Sequence, residues 1–167
     1  MSQAQPSREI TIREAIEGDA PGIARAFLDS AEHHARLDPA RYFVPGAEEI
    51  TYRYRNRQQH PAANETATLV AELDKDIVGF IDARLEQFPD PMHRHIVYCH
   101  VSEIAVTSPY RSQGIGALLL KAGEDWGRRH GAQFALLEYH PANVRAGMFY
   151  QQRMGYSVAS ITVIKSL

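Results

Sequence analysis

The stretch Glu103-Ile104-Ala105-Val106-Thr107-Ser108-Pro109-Tyr110-Arg111-Ser112-Gln113-Gly114-Ile115-Gly116-Ala117 decides how this chain is read. It reads as an apolar strand, a short polar loop with two glycines, and the start of an amphipathic helix. That helix is expected to place Ile115, Leu118, Leu119, Ala122 and Trp126 on one face. In this geometry the amides of Gln113 to Ala117 point outward together at a helix N-terminus. Fixed donors and the positive end of the helix dipole suit a phosphate there. Gly114 and Gly116 keep Cβ atoms out of the way of an approaching anion, and Arg111 offers a cation. Gly114-Ile115-Gly116 lacks the third glycine of a dinucleotide fingerprint, and no Gly-Lys-Ser/Thr follows as in a Walker loop. The glycines alone are equally compatible with a tight strand-to-helix turn.

The remaining chain supplies the context. Its 167 residues suit one domain with an ordinary core, and 44% apolar and 23% charged residues place it in the globular range. A net charge of −2 gives no footprint for nucleic acid. No apolar run approaches the ~20 residues that span a bilayer. Met1 to Glu9 is polar, without the apolar core of a signal peptide, and residues 1–8 are expected to be a disordered lead. The single cysteine, Cys99, excludes an internal disulfide, reads as a small buried hydrophobe, and fits a cytoplasmic setting.

Local patterns predict a first strand over Ile10–Ala15, then a helix capped by Asp19 with Pro21 in its first turn and Ile23, Ala26, Phe27 and Ser30 on its face. His33 to Gly46 is expected to be irregular, with a second helix from Ala47 to about Gln59, before Pro61. Thr66–Leu73 and Ile77–Leu85 read as a hairpin turning at Asp74-Lys75-Asp76, and Phe88 to Pro91 as a loop. A long strand is expected over His95–Val106. The helix after Gly114 ends with Arg128, Arg129 and His130, with Gly131 beyond it. Phe134–Glu138 is expected to be a buried strand, Pro141-Ala142-Asn143 to open a helix ending near Gly155-Tyr156, and Ser160–Leu167 to form a last strand. The order β-α-α-β-β-β-α-β-α-β argues for one mixed α/β (α+β) domain over residues 1–167.

Taken whole, Arg111-Ser112-Gln113-Gly114-Ile115-Gly116, behind Ile104-Ala105-Val106 and ahead of Leu118-Leu119-Leu120, resembles the acetyl-CoA loop of the GNAT acetyltransferases. That family's pattern is Arg/Gln-x-x-Gly-x-Gly/Ala after a strand ending in an apolar-x-Val. A second segment, Asn143-x-x-Ala146-x-x-Phe149-Tyr150 followed by Gly155-Tyr156, resembles the family's Asn-x-x-Ala-x-x-apolar-Tyr with a later Gly-Phe/Tyr. The likeness extends over nearly the whole chain and is sharp from Ser102 to Tyr156. It implies a GNAT fold: a mixed, mostly antiparallel sheet splayed in its middle, with helices on both faces. It also implies acetyl-CoA as cosubstrate, no metal, and mildly a homodimer.

Carried over by position, the resemblance assigns Ile104, Ala105 and Val106 to the acyl end of the cofactor, with backbone N–H from this splayed strand as oxyanion donor. Arg111, Ser112, Gln113, Gly114, Ile115, Gly116 and Ala117 fall to the pyrophosphate. Asn143 falls to the pantetheine, and Tyr150 becomes the hydrogen-bond donor to the thioester sulfur. Physical chemistry allows the second segment plainer roles too, Asn143 as an N-cap and Tyr150 as core aromatic. One spacing departs from the pattern: Gly155 stands five residues after Tyr150 where the family has four. A bulge or a looser helix end over Gln151 to Met154 is the expected way to absorb the extra residue.

The implied reaction is attack of a neutral amine on an acetyl thioester, through a tetrahedral oxyanion that needs a fixed donor. A lysine-like amine of pKa about 10.4 costs ~4.6 kcal/mol to deprotonate at pH 7, an α-amine near 8 only ~1.4. Candidate bases are Glu103 and His100 on the strand before the loop, Glu138 on the next strand, or a water chain. Simple strand alternation puts Glu103 and His100 on opposite faces. His93 and His95 lack the cysteine or carboxylate partners of a zinc site, so no metal is expected. Acceptor specificity is expected in Pro39–Pro45, the loop around Phe88–Pro91, and the helix carrying Arg53, Arg55 and Arg57. The reading is a cytoplasmic N-acetyltransferase moving acetyl from acetyl-CoA to a primary amine, small or peptidic, by direct transfer in a ternary complex. Its rivals are a non-catalytic acyl-CoA-binding module and a generic nucleotide-binding α/β domain.

Overall fold

In the computed structural model, five strands hydrogen-bond in sequence order as one sheet: β1 (Ile10–Glu14), β2 (Thr66–Leu73), β3 (Asp76–Glu86), β4 (Tyr98–Val106) and β5 (Phe134–Leu137). The structure describes residues 9–59, 65–88 and 91–166. The expected disordered lead at residues 1–8, Pro61, and the middle of the Phe88–Pro91 loop lie outside these. The first four strands pair antiparallel, and β4 pairs β5 parallel. The tight β2–β3 turn works because Asp74 and Lys75 both adopt positive φ, 51° and 72°, as a two-residue hairpin of matching twist requires.

Helices cover both faces. On one side lie α1 (Ala20–Leu37) and α2 (Ala47–Gln59), burying Ile23, Ala26, Ile50 and Tyr54 against Val70, Phe80 and Ala105. On the other lies α3 (Ile115–Arg129), whose Ile115, Leu119 and Leu120 pack on Leu69, Ala71, Ile81 and Val101. Leu118, expected on the buried face of α3, is instead 45% exposed. The face turns toward Leu120, Gly123 and Gly127, because the glycines let α3 approach β3 and β4 very closely. A Cβ on Gly127 would sit 2.4 Å from Cys99 Cβ, and one on Gly123 would sit 2.7 Å from Ile81 Cδ1. Cys99 itself is fully buried, and burial pushes its thiol up to about 11.

Several boundaries differ from the expected ones for identifiable reasons. Asp19 stands at the N-cap position of α1, but its carboxylate turns back to accept from the Ile16 amide and from Arg13. The helix continues through His33 to Leu37, ending where the Asp38 amide bonds the His34 carbonyl. The long strand starts at Tyr98 rather than His95, after a turn joining Ile96 to Arg94. The expected last strand Ser160–Leu167 does not form over its described part, Leu167 lying outside the described residues: Ser157 to Ser166 adopt no regular structure and every one of them is exposed. A strand needs a ladder partner, and this segment has none among the described residues. Among the described residues no helix is long and apolar enough to cross a membrane.

Candidate active site

The site begins where two strands part. The last rung shared by β4 and β5 pairs Val101 with Leu137, yet β4 runs on to Val106. Over Ser102–Val106 the β5 side of β4 therefore has no strand partner among the described residues, and a wedge opens between the two. Ile104, Ala105 and Val106 border it, as the resemblance anticipates.

At the end of β4 the chain turns through Ser108–Tyr110 into the glycine loop. Ser112 and Gly114 both take positive φ, 65° and 86°, so the loop coils tightly just before α3. At Gly114 the glycine is needed for this backbone conformation, since a Cβ there would meet nothing within 4 Å. At Gly116 a Cβ would project into open space bounded only by Phe149, 3.7 Å away. The Ala117 amide, expected to face outward, instead bonds the Gly114 carbonyl inside the first helical turn. The amides of Gln113, Gly114, Ile115 and Gly116 have no acceptor among the described residues. Four open donors around a space that two missing side chains leave clear, at the positive end of a 15-residue helix, fit a diphosphate.

Arg111 is placed otherwise than expected. Its Nε donates to the Val106 carbonyl (2.8 Å) and its Nη2 to Asp29 of α1 (2.9 Å). Asp29 also accepts from the amide and hydroxyl of Ser108. Burial works against the Asp29 charge, but these donors and the guanidinium hold its carboxyl below the usual range. Arg111 thus ties the loop to α1 instead of presenting a free cation. The exposed cation at the loop is Arg145, whose guanidinium contacts the Ser112 hydroxyl. Nothing in the one-dimensional pattern marks Arg145, which occupies a variable position of the second motif.

Asn143 caps α4 (Val144–Met148), its Oδ1 accepting from the Ala146 amide at 3.1 Å. Its side chain also faces His33 of α1, an imidazole that burial and nearby His34 and Arg111 hold below its ordinary pKa. Beyond Met148 the helix widens into a π-turn over Phe149–Arg153, closed by the Met154 amide on the Phe149 carbonyl. The turn holds the extra residue before Gly155, which still ends the helix with φ of 79°. Tyr150 points into the α3-side cluster, its ring 5.7 Å from Tyr139 and 6.1 Å from Tyr156. Its hydroxyl makes no hydrogen bond among the described residues, although no fully sealed side-chain N or O atom there lacks a partner. Burial, helped by the charge of Glu103, pushes its pKa up to about 12.

A bulge decides the placement of the candidate bases. Asp82 pairs with Glu103 and Ala83 with Val101, so Ser102 is the extra residue in β4. The insertion resets the alternation, and His100, expected opposite Glu103, shares its face through the Arg84–His100 rung. His100 is occupied there: Nδ1 lies 2.6 Å from Glu86 Oε2 and 3.0 Å from Arg84 Nη2. Glu103 has no hydrogen bond or ion pair among the described residues. Its neighbour Asp82 is saturated by the Tyr54 hydroxyl, the Thr68 hydroxyl and Arg57. Burial, together with the Asp82 charge, raises the Glu103 carboxyl to about 7 against the pull of Arg53 and Arg57. Glu138 is exposed one residue beyond the last β4–β5 rung, without a partner among the described residues. Among those residues no cluster of three His, Cys, Asp or Glu is arranged to hold a metal.

Comparison with known proteins gives the class of protein to which this fold, loop and second motif belong. The model of the acetyltransferase (GNAT) family matches residues 35–156, and the chain belongs to that family. An uncharacterized N-acetyltransferase, YhdJ of Bacillus subtilis (strain 168), is 33% identical over 60 residues, spanning 36% of this chain and 42% of that protein. A mutant of the BH1408 protein from Bacillus halodurans superposes with a TM-score of 0.84 at 23% identity, covering 94% of this chain and 99% of the other. The aminoglycoside N-acetyltransferase AAC(6')-Iy, solved in complex with CoA, gives 0.72 at 16% identity, with 99% of both chains covered. At these identities the two structural likenesses establish the GNAT fold.

Proposed function

We propose that this protein is an N-acetyltransferase that moves the acetyl group of acetyl-CoA to a primary amine by direct transfer in a ternary complex. The observation that carries the reading is that two groups without a hydrogen bond among the described residues lie near enough for the charge of one to act on the other. They are a half-buried carboxyl raised to about 7, Glu103, and a neutral, buried hydroxyl, Tyr150. The open amides of Gln113 to Gly116 receive the CoA diphosphate, with Arg145 beside them, and Asn143 meets the pantetheine. Acetyl-CoA brings the activated acyl group, and everything else falls to the chain.

Glu103 takes the proton of the incoming ammonium, directly or through one water. A base with a pKa near the working pH suits this task. Backbone N–H from the stretch Ile104 to Val106, which has no β5 partner among the described residues, serves the oxyanion. Tyr150 then steadies the departing thiolate. With its pKa at about 12 and a thiol near 8.5, full proton transfer from Tyr150 is roughly 5 kcal/mol uphill. Its role is therefore donation of a hydrogen bond, with the proton reaching sulfur by relay. Glu138, exposed one residue beyond the last β4–β5 rung, is given no part in proton removal in this reading.

The decisive test is acetyl-CoA binding followed by amine-dependent CoA release, comparing the wild type with Gly114→Glu plus Gly116→Glu. Loss of binding in the double variant is expected. Unchanged binding there, or no binding by the wild type, would sink the proposal.

A further inference from the structure

Arginines stand on α2 at positions 53, 55 and 57, and their charges end differently. Arg57 donates to Asp82 Oδ2 at 2.6 Å, and Arg55 stands 3.9 Å from Glu17. Arg53 is exposed and has no hydrogen bond or ion pair among the described residues. Its guanidinium lies over two rings, 5.8 Å from the centroid of Phe27 and 5.7 Å from that of Tyr54. An arginine that serves only solubility extends into water. This one is held over an aromatic floor with its N–H donors unspent.

That floor is joined to the reaction site. The Tyr54 hydroxyl donates to Asp82, whose register partner across β3 and β4 is Glu103. Phe27 packs on the cluster that contains Ala105, two residues along β4 from Glu103 and so on the same face. Arg53 lies close enough for its charge to act on the Glu103 carboxyl, yet the two do not reach ion-pair distance. The other cations on this face are spent: Arg57 on Asp82, and Arg84 on Glu86 and His100. What remains on the α1–α2 side of β4 is one open carboxyl and one open guanidinium, near each other but not joined.

We propose that the acceptor is a small primary amine carrying a carboxylate in the same molecule, its ammonium meeting Glu103 and its carboxylate meeting Arg53. This rests on the transferase reading above and adds the acceptor's chemical class to it. Such a molecule presents an opposite charge to each open group at once. An uncharged amine leaves Arg53 unused, and a polycation sets a second positive charge against it. The planar guanidinium suits a carboxylate, to which it can donate two parallel hydrogen bonds. In the reaction Glu103 takes one ammonium proton and passes it to solvent, and the amine nitrogen bonds the acetyl carbon. The carbon–sulfur bond then breaks, and a second proton from nitrogen reaches sulfur by relay. The products are the N-acetylated aminocarboxylate, CoA thiol and the released proton.

The test is amine-dependent CoA release by the full chain at about pH 9, where Glu103 is ionised with or without Arg53 beside it. The acceptors are β-alanine and γ-aminobutyrate, the carboxamide of each, and putrescine as a dication. The wild type should prefer each carboxylate to its carboxamide and to putrescine in kcat/KM. Arg53→Gln should cut the carboxylate-to-carboxamide ratio about tenfold, through a higher KM for the carboxylates, and Arg53→Lys should restore part of it. The amine pKa values of the probes act alike on wild type and variants, so the change in ratio reads Arg53. Glutamine is a good helix former and the position is exposed, so the circular dichroism should be unchanged. A wild type that prefers carboxamides or putrescine, or a ratio that Arg53→Gln does not move, overturns the inference and leaves the transferase reading standing. Acetyl-CoA binding with no turnover of any amine overturns both.

Discussion

Asp82 and Glu103 are register partners on one face of β3 and β4, yet only Asp82 is neutralised. It accepts from Tyr54 at 2.8 Å, Thr68 at 2.7 Å and Arg57 at 2.6 Å. Glu103 receives no hydrogen bond among the described residues, and burial, together with the neighbouring carboxylate, raises its pKa to about 7. Fixing one charge firmly leaves the other free to exchange a proton at neutral pH.

The first prediction is a pH profile. Glu103 accepts a proton only when ionised, so kcat should fall as pH drops through about 7. Glu103→Gln should lower kcat at neutral pH by roughly 100-fold or more and erase that inflection. Arg53→Ala removes a cation that favours the ionised form, so the acid limb should move to higher pH. A profile unchanged in both variants would exclude Glu103 as the base.

Tyr150→Phe keeps the ring and its packing while removing the donor. We expect kcat to fall by roughly 100-fold with acetyl-CoA affinity retained, measured by steady-state kinetics and calorimetry. Loss of binding in step with kcat would instead mark Tyr150 as a packing residue.

Asp29→Ala cuts the tie between α1 and the glycine loop, releasing Ser108 and Arg111 together. Acetyl-CoA affinity should weaken about tenfold, near 1.4 kcal/mol, with kcat at saturation preserved. Equal binding by wild type and variant would show that the loop holds its shape without Asp29.

Gly127→Ala tests the packing of α3. Alanine favours a helix by about 1 kcal/mol over glycine, but here the new Cβ would lie 2.4 Å from Cys99 Cβ. Overpacking should win, destabilising the protein by about 1–3 kcal/mol and lowering the melting temperature. An unchanged or raised Tm would contradict this.

The elements that position the site were legible because local chemistry marks them. Asp74-Lys75 announced the hairpin, and Gly114 and Gly131 bracketed α3. The five-residue gap between Tyr150 and Gly155 signalled an irregular helix end, and a π-turn occupies it. Features set by distant partners were not legible. Arg111 and Asp29 meet across 82 positions, which converts an expected anion ligand into a tether. The bulge at Ser102 carries no glycine or proline, so alternation misassigned His100 to the far face. Ser157–Ile164 has the composition of a strand, and composition does not reveal whether a ladder partner lies within reach.

The most direct measurement is CoA release by the full chain with acetyl-CoA and a panel of primary amines, with the acceptor products identified by mass spectrometry. Acetylated amine should appear one-for-one with free CoA, and release without an amine should be slow. Saturable acetyl-CoA binding with no amine-dependent turnover would contradict the account and leave an acyl-CoA-binding module in its place.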